Sequence, residues 1–363
     1  MDALSGRITL VPVLLVTALL TAACGGGGGG GGGGAPGNAP AREWIIPTTF
    51  VANGGPGKDG IPALVEPAFA PISANSAVGP FDLVLAVQTG NQVKVYPQDI
   101  LDWHEVVNET AEGAPFVLSY CPLTASAVAW RTSATDTDPT FGVSGLLFNS
   151  NLLLYDRWTD SYWSQMLQLS VSGSRRMEEP TNIQVIETTF ATVESMYPNA
   201  VVLTRDTGHA RNYDNYPYGN YRSNRDLLFS VERGDNRLHE KARAIGIHND
   251  NQAKVYQLDG FGSSTQTVHD NFDGQPIVVA GNSAESVAVI YSRMLSDGTI
   301  LQFDPIQSDL PNIMQDTEGN VWDIFGTAQS GPRAGAQLEL VKSYSAMWFA
   351  WVAHFDTVEV HFN

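Results

Sequence analysis

The stretch Leu83 to Tyr96, LVLAVQTGNQVKVY, returns 160 residues later as Arg243 to Tyr256, RAIGIHNDNQAKVY. Identity is concentrated at its end, where Asn91, Gln92, Lys94, Val95 and Tyr96 recur as Asn251, Gln252, Lys254, Val255 and Tyr256. Strand-like runs flank Thr89-Gly90-Asn91, which supplies the residues of a tight hairpin loop, and the second copy turns at Asn249-Asp250-Asn251. The correspondence continues in order. Pro115-Phe116-Val117-Leu118 matches Pro276-Ile277-Val278-Val279, and Ser126-Ala127-Val128-Ala129 matches Ser286-Val287-Ala288-Val289. Further on, Asp156 to Trp163 faces Asp316 to Trp322, and Phe190-Ala191 faces Phe349-Ala350. A near-constant offset over so many segments predicts a tandem duplication. The units are residues 82–203 and 242–363, joined by a connector over 204–241 and preceded by an extended segment over 44–81.

Each unit reads as mostly strand, with PFVLSY and SAVAW as two more β-rich runs around a turn at Cys121-Pro122-Leu123-Thr124. A short helical turn is expected from Pro97. One helix is expected near each unit's end: Thr188 or Thr189 caps a face of Phe190, Val193 and Tyr197 before Pro198, and Ser345 caps Trp348, Val352 and Phe355. The expected fold class is therefore mainly β, an α+β arrangement with few short helices. Its two tandem homologous β-rich units would form one pseudo-twofold globule.

Composition limits the function classes. Of 363 residues, 43% are hydrophobic, with eight Trp, twelve Tyr and fifteen Phe, which excludes a disordered chain. Twenty basic against 38 acidic residues give a net charge of −18 with no basic stripe, so a nucleic-acid backbone is repelled and no nucleic-acid partner is expected.

The N-terminus reads as an export signal over residues 1–23: Arg7, an apolar run from Ile8 to Leu20, then Thr21-Ala22-Ala23 before Cys24. This resembles a bacterial lipobox, with Thr21 where Leu is usual, and implies lipidation of Cys24. Residues 24–43, with ten consecutive glycines from Gly25 to Gly34, form a flexible tether. The expected localisation is a lipoprotein of the cell membrane or outer membrane, facing the periplasm or exterior. Its expected partner is the lipid bilayer, held through the N-terminal lipid. With Cys24 lipidated, Cys121 is the remaining cysteine of the two, so no intramolecular disulfide staples the fold.

Several ordered motifs carry a family resemblance. They are Lys58-Asp59-Gly60-Ile61-Pro62-Ala63-Leu64, His104-Glu105-Val106-Val107-Asn108, Tyr120-Cys121-Pro122-Leu123, Phe141 to Leu147 with Asn149 and Ser150, Tyr155-Asp156-Arg157 and Trp163-Ser164-Gln165. Thr207-Gly208, Arg211, Tyr213 and Pro217-Tyr218 to Tyr221 extend it through the connector. Together they resemble the DUF3179 family of exported bacterial and archaeal proteins, a family of unknown function whose name carries no reaction. Many members of that family have Cys-Pro-Leu-Cys where this chain has Cys121-Pro122-Leu123-Thr124. Dithiol redox chemistry and two-cysteine chelation are thereby unavailable here.

The leading chemical candidates are Cys121 and His104, because the second unit keeps neither. Its aligned stretches read Gly281-Asn282-Ser283 and Ser264-Thr265. A thiol beside an imidazole is either an activated nucleophile with His104 as base, or a soft metal ligand suited to copper or zinc. Glu105, a candidate ligand-binding residue, would orient the imidazole or accept a hydrogen bond behind it. A buried structural cysteine and histidine is the alternative. In the connector, Arg211 is a candidate anion clamp and Tyr213 and Tyr218 are candidate pocket walls.

Weaker signals are the acidic segments Asp136-Thr137-Asp138 and Asp270 to Gly274, which lack the spacing of a calcium loop. Trp103, Trp130, Trp158, Trp163 and Trp322 are platforms of the kind that stack on sugars. Trp163 and Trp322 recur at matching positions, which favours a core role for those two. The resulting expectation is a membrane-tethered binding protein for a small ligand or metal around Cys121 and His104. The alternatives are a thiol-dependent extracytoplasmic enzyme and a purely structural surface protein.

Overall fold

In the computed structural model, residues 43–361 are described, so the export signal, Cys24 and the glycine run lie outside the described residues. Among the described residues no helix is long and apolar enough to cross a membrane.

The quoted repeat forms the hairpins it implies. Strands Leu83–Thr89 and Gln92–Pro97 pair antiparallel with Thr89 opposite Gln92, and Arg243–His248 pairs with Gln252–Gln257. Gly90 sits at φ +58, and a Cβ there would collide with the Glu112 carboxylate, so the turn position requires glycine. The conserved-looking Lys and Tyr of the repeat have one structural reason. Lys94 and Tyr96 both reach Glu109 on the neighbouring strand Val106–Ala111, with the Tyr96 hydroxyl 2.5 Å from the carboxylate. In the second copy, Lys254 and Tyr256 reach Asp270 on Gln266–Phe272 at 2.9 and 2.8 Å. Asp270 is thus a strand residue clamped to its neighbour rather than part of an open acidic loop.

Among the described residues the strands sort into six sheets of three to five strands, the blades of a six-bladed β-propeller. This corrects the expected two-unit pseudo-twofold globule. Similarity between the two segments dictates hairpins and their order, but the sheet count depends on pairing between strands distant in the chain. Val185–Thr189 returns to pair with Leu83–Thr89, and Val201–Leu203 lies parallel to Gln92–Pro97. Ser343–Met347 and Thr357–His361 make the same two closures on Arg243–His248 and Gln252–Gln257. Each segment therefore supplies three sheets, and the cores are shared between segments. Val128, Trp130 and Leu154 pack with Tyr344, Trp348 and Trp351, while Val84 and Phe190 pack with Val289 and Trp322. The stretch before residue 82 adds Val51–Asn53, Leu64–Val65 and Phe69–Pro71 to the edges of three different sheets.

Three α-helices occur among the described residues: α1 (Gln98–His104), α2 (Phe190–Met196) and α3 (Trp348–His354). Thr189 caps α2 by accepting from the Thr192 amide at 3.2 Å, as expected. Ser345 does not cap α3. It lies inside the strand Ser343–Met347, and Met347 occupies the N-cap position without a side-chain bond. The backbone there stays extended because the sheet takes its amides, so helix entry shifts two residues onward. Trp163 and Trp322 are core residues, 2% and 0% exposed.

Candidate functional site

Cys121 ends the strand Ala114–Cys121, and Ser126, opposite it, begins the next. The intervening turn closes with Ala125 at φ 46. The thiol is 1% exposed. Burial pushes its pKa up to about 11, the Glu105 charge acts in the same direction, and hydrogen bonds with Thr124 oppose both. Thr124, standing where the family pattern has its second cysteine, is fully buried. Its hydroxyl is 2.8 Å from that of Ser126 and accepts from the Asn151 amide at 2.9 Å. This neutral network occupies the place a second thiol would take.

Helix α1 places the other candidates. It starts directly after Pro97, carries Asp99 in its first turn, and ends where Glu105 adopts the left-handed conformation at φ 58. That reversal sends consecutive side chains in different directions. His104 is fully buried, with Nδ1 2.8 Å from the Pro62 carbonyl and Nε2 2.7 Å from the Tyr213 hydroxyl. A carbonyl only accepts, so Nδ1 carries the proton and Nε2 accepts from Tyr213. The Thr207 hydroxyl, 2.5 Å from the Tyr213 oxygen, completes the chain. Burial lowers the His104 pKa to about 4, with His209 and Arg211 adding to the effect. The imidazole is neutral with both nitrogens engaged, and no hydrogen bond joins it to Cys121 among the described residues.

Glu105 is the group that meets the cysteine. Glu105, Cys121 and Tyr218 line one cavity of about 120 Å³, whose remaining walls include Ile61, Leu123, Val143, Leu147, Leu152 and Phe229. Glu105 is 5% exposed, and its Oε1 accepts from the Tyr218 hydroxyl at 2.9 Å. Burial raises its pKa to about 7, and the charge of Asp102 adds to that. No donor among the described residues meets its Oε2. The chamber is therefore apolar except at one end, where a thiol, a carboxyl and a phenol converge.

The other sequence candidates divide between neighbouring structures. Tyr213 belongs to the His104 chain. Arg211 is exposed and lies over the Trp103 ring at 5.5 Å. Arg205, Arg222 and Arg243, none of them a candidate from the sequence, face a nearby cleft instead. They line a polar hollow of about 590 Å³ with Asp99, Asp102 and Tyr216. Arg222 binds Asp102 at 2.6 Å and Arg205 binds Asp99 at 2.6 Å, tying the connector to α1. Asp102 is 3% exposed, and burial raises its pKa to about 7. The available signal was the polarity of the connector.

A copper or zinc ion does not fit this set. Both His104 nitrogens are hydrogen-bonded, and among the described residues no three His, Cys, Asp or Glu side chains form a ligand group. In the second segment, Thr265 and Asn282 stand at the places of Glu105 and Cys121, joined by a weak 3.5 Å contact. The ionisable pair is thus confined to one half of the chain.

No curated protein and no solved structure matches this chain. The family model described as "Protein of unknown function (DUF3179)" matches residues 58–358, which includes α1, the Cys121 turn and the connector, and the chain therefore belongs to the DUF3179 family.

Proposed function

We propose that this protein is an exported, lipid-anchored binding protein whose small ligand occupies the chamber walled by Glu105, Cys121 and Tyr218. The lipid anchor rests on the lipobox-like sequence before Cys24, and the two similar segments are read as a duplication in which one copy bears the site. The observation that carries the binding reading is the Glu105 carboxyl. It is 5% exposed, held in a left-handed backbone conformation, and faces an apolar cavity with one oxygen lacking a donor. Backbone strain and buried carboxyls with shifted pKa values concentrate at sites of function.

The walls define the ligand's chemistry. A cavity of about 120 Å³ admits a compact molecule with an apolar body. With its pKa near 7, Glu105 donates to a carbonyl below neutral pH and accepts from a hydroxyl or amine above it. The thiol supplies contact rather than attack, since burial disfavours the thiolate that a nucleophile needs.

The test is ligand-observed NMR with a panel of small apolar alcohols, amides and amines against the protein and two variants, Glu105→Gln and, at another residue of the chamber wall, Leu146→Trp. Binding that Leu146→Trp blocks and Glu105→Gln weakens supports the chamber. Absence of binding across the panel, or binding indifferent to both substitutions, refutes it.

A further inference from the structure

The acidic segment at 136–138 and the indoles of Trp130 and Trp163 meet around one cavity of about 230 Å³, far from any role in the Cys121 chamber. Trp130 and Trp163 lie side by side, ring centroids 6.2 Å apart, with Phe141 edge-on to both. Their N–H groups are treated differently. Trp163 donates to Asp156 at 2.8 Å, whereas Trp130, 1% exposed, has a buried Nε1 with no acceptor. The Thr132 hydroxyl on the same wall is also buried and unpartnered. Across the strand pair, Asn182, opposite Trp130, has an unpartnered buried Oδ1. Asn182 does not line the cavity, but Trp130 and Thr132 do, and since buried donors and acceptors are almost always paired, two orphans on one wall indicate a missing polar guest.

The surroundings select the guest by elimination. Asp136, Asp138, Asp156, Glu178 and Glu179 at the cavity outnumber Arg131 and Arg175 and disfavour an anion. An ammonium has no lone pair for the Trp130 N–H, and Arg175, 5.4 Å from the Trp163 ring centroid, already supplies a cation there. A hydroxyl both accepts from an indole and donates to a carboxylate. We infer that the Trp130 cavity is a binding site for a neutral polyhydroxylated ring, a single sugar unit.

The experiment titrates the full-length protein in detergent with glucose, galactose and N-acetylglucosamine, using saturation-transfer NMR and calorimetry. Choline and citrate serve as the cationic and anionic comparisons. Saturable binding of at least one sugar is expected. It should weaken at least tenfold in Trp130→Phe, which removes the N–H and keeps an aromatic ring, and in Thr132→Val, and be unchanged in Trp158→Phe, whose indole lies outside the cavity. Failure of all three sugars to bind, saturation by choline or citrate alone, or equal sugar affinity in folded Trp130→Phe and Thr132→Val overturns the inference. In the first case a bound water satisfies the orphaned groups.

Discussion

The Tyr218 hydroxyl donates to Oε1 of Glu105 at 2.9 Å, fastening the connector to the residue just past α1. The bond joins two groups separated by 113 residues and closes the polar end of the Cys121 chamber. Because the carboxyl it holds is almost fully buried, protonation of Glu105 is tied to the stability of the fold.

Stability should respond to pH through this residue in a defined direction. The Glu105 pKa moves from an ordinary 4.5 to about 7 on folding, so between those values the folded chain holds a proton that the unfolded chain releases. Its contribution is present below about pH 4.5 and is lost as pH rises towards 7. Glu105→Gln should therefore gain on the parent over that window, by up to about 1.4 kcal/mol per pH unit, and level off above it. Urea unfolding of both proteins at pH 5 and pH 8 reads the difference, and parallel pH profiles would refute the assignment.

Thiol labelling probes the same carboxylate from the other side. With its pKa pushed to about 11, Cys121 has little thiolate at pH 8. Native protein should react with a small thiol reagent at least ~100-fold more slowly than denatured protein. Since the Glu105 charge is the second cause of that shift, Glu105→Gln should label faster than the parent above pH 7. Equal native and denatured rates would show the thiol to be open to solvent.

The repeated Lys-Val-Tyr carries a prediction about equivalence. Tyr96 bonds Glu109 and Tyr256 bonds Asp270, each beside a lysine, and each links neighbouring sheets. Tyr96→Phe and Tyr256→Phe should each cost about 1.5–3 kcal/mol, the range for a hydrogen bond to a charged group. The double variant should show the sum, since the two clamps share no partner. A large cost in one copy and none in the other, measured by chemical denaturation, would make the recurrence incidental.

What the sequence discloses follows the range of the forces involved. The hairpins at Gly90 and Asn249–Asn251 and the Thr189 cap depend on residues a few positions apart, and these form as expected. The six-bladed arrangement depends on Val185–Thr189 returning to Leu83–Thr89 across about a hundred residues, which periodicity does not encode. Ser345 looked like a cap because hydroxyl chemistry is local, yet sheet pairing took its backbone. At the site, adjacency of His104 and Glu105 concealed their divergence. Only the φ of 58 at Glu105 turns one towards Tyr213 and the other towards Cys121. The connector's tyrosines were visible as pocket walls, but Arg222 and Asp102 were not, since their pairing spans 120 residues.

Two aspartates offer the sharpest comparison between the halves. Asp156 accepts the Trp163 indole N–H at 2.8 Å along with the Thr159 amide and hydroxyl. Asp316 accepts the Trp322 indole N–H at 2.8 Å along with the amides of Glu318 and Asn320. Each carboxylate therefore holds a turn and a buried indole together, and each is nearly inaccessible, at 2% and 4% exposure. Removing the carboxylate leaves the indole donor buried without an acceptor and releases the turn at the same time. Asp156→Ala and Asp316→Ala should each destabilise by ~3 kcal/mol or more, the sum of an orphaned donor and lost charge-assisted bonds. Trp163→Phe and Trp322→Phe leave the turn bonds in place, and in a double-mutant cycle with the alanine variants each pair should show a coupling of about 1–3 kcal/mol. A coupling near zero would mean that the aspartates act on the turns alone and that the recurring tryptophans are held by packing.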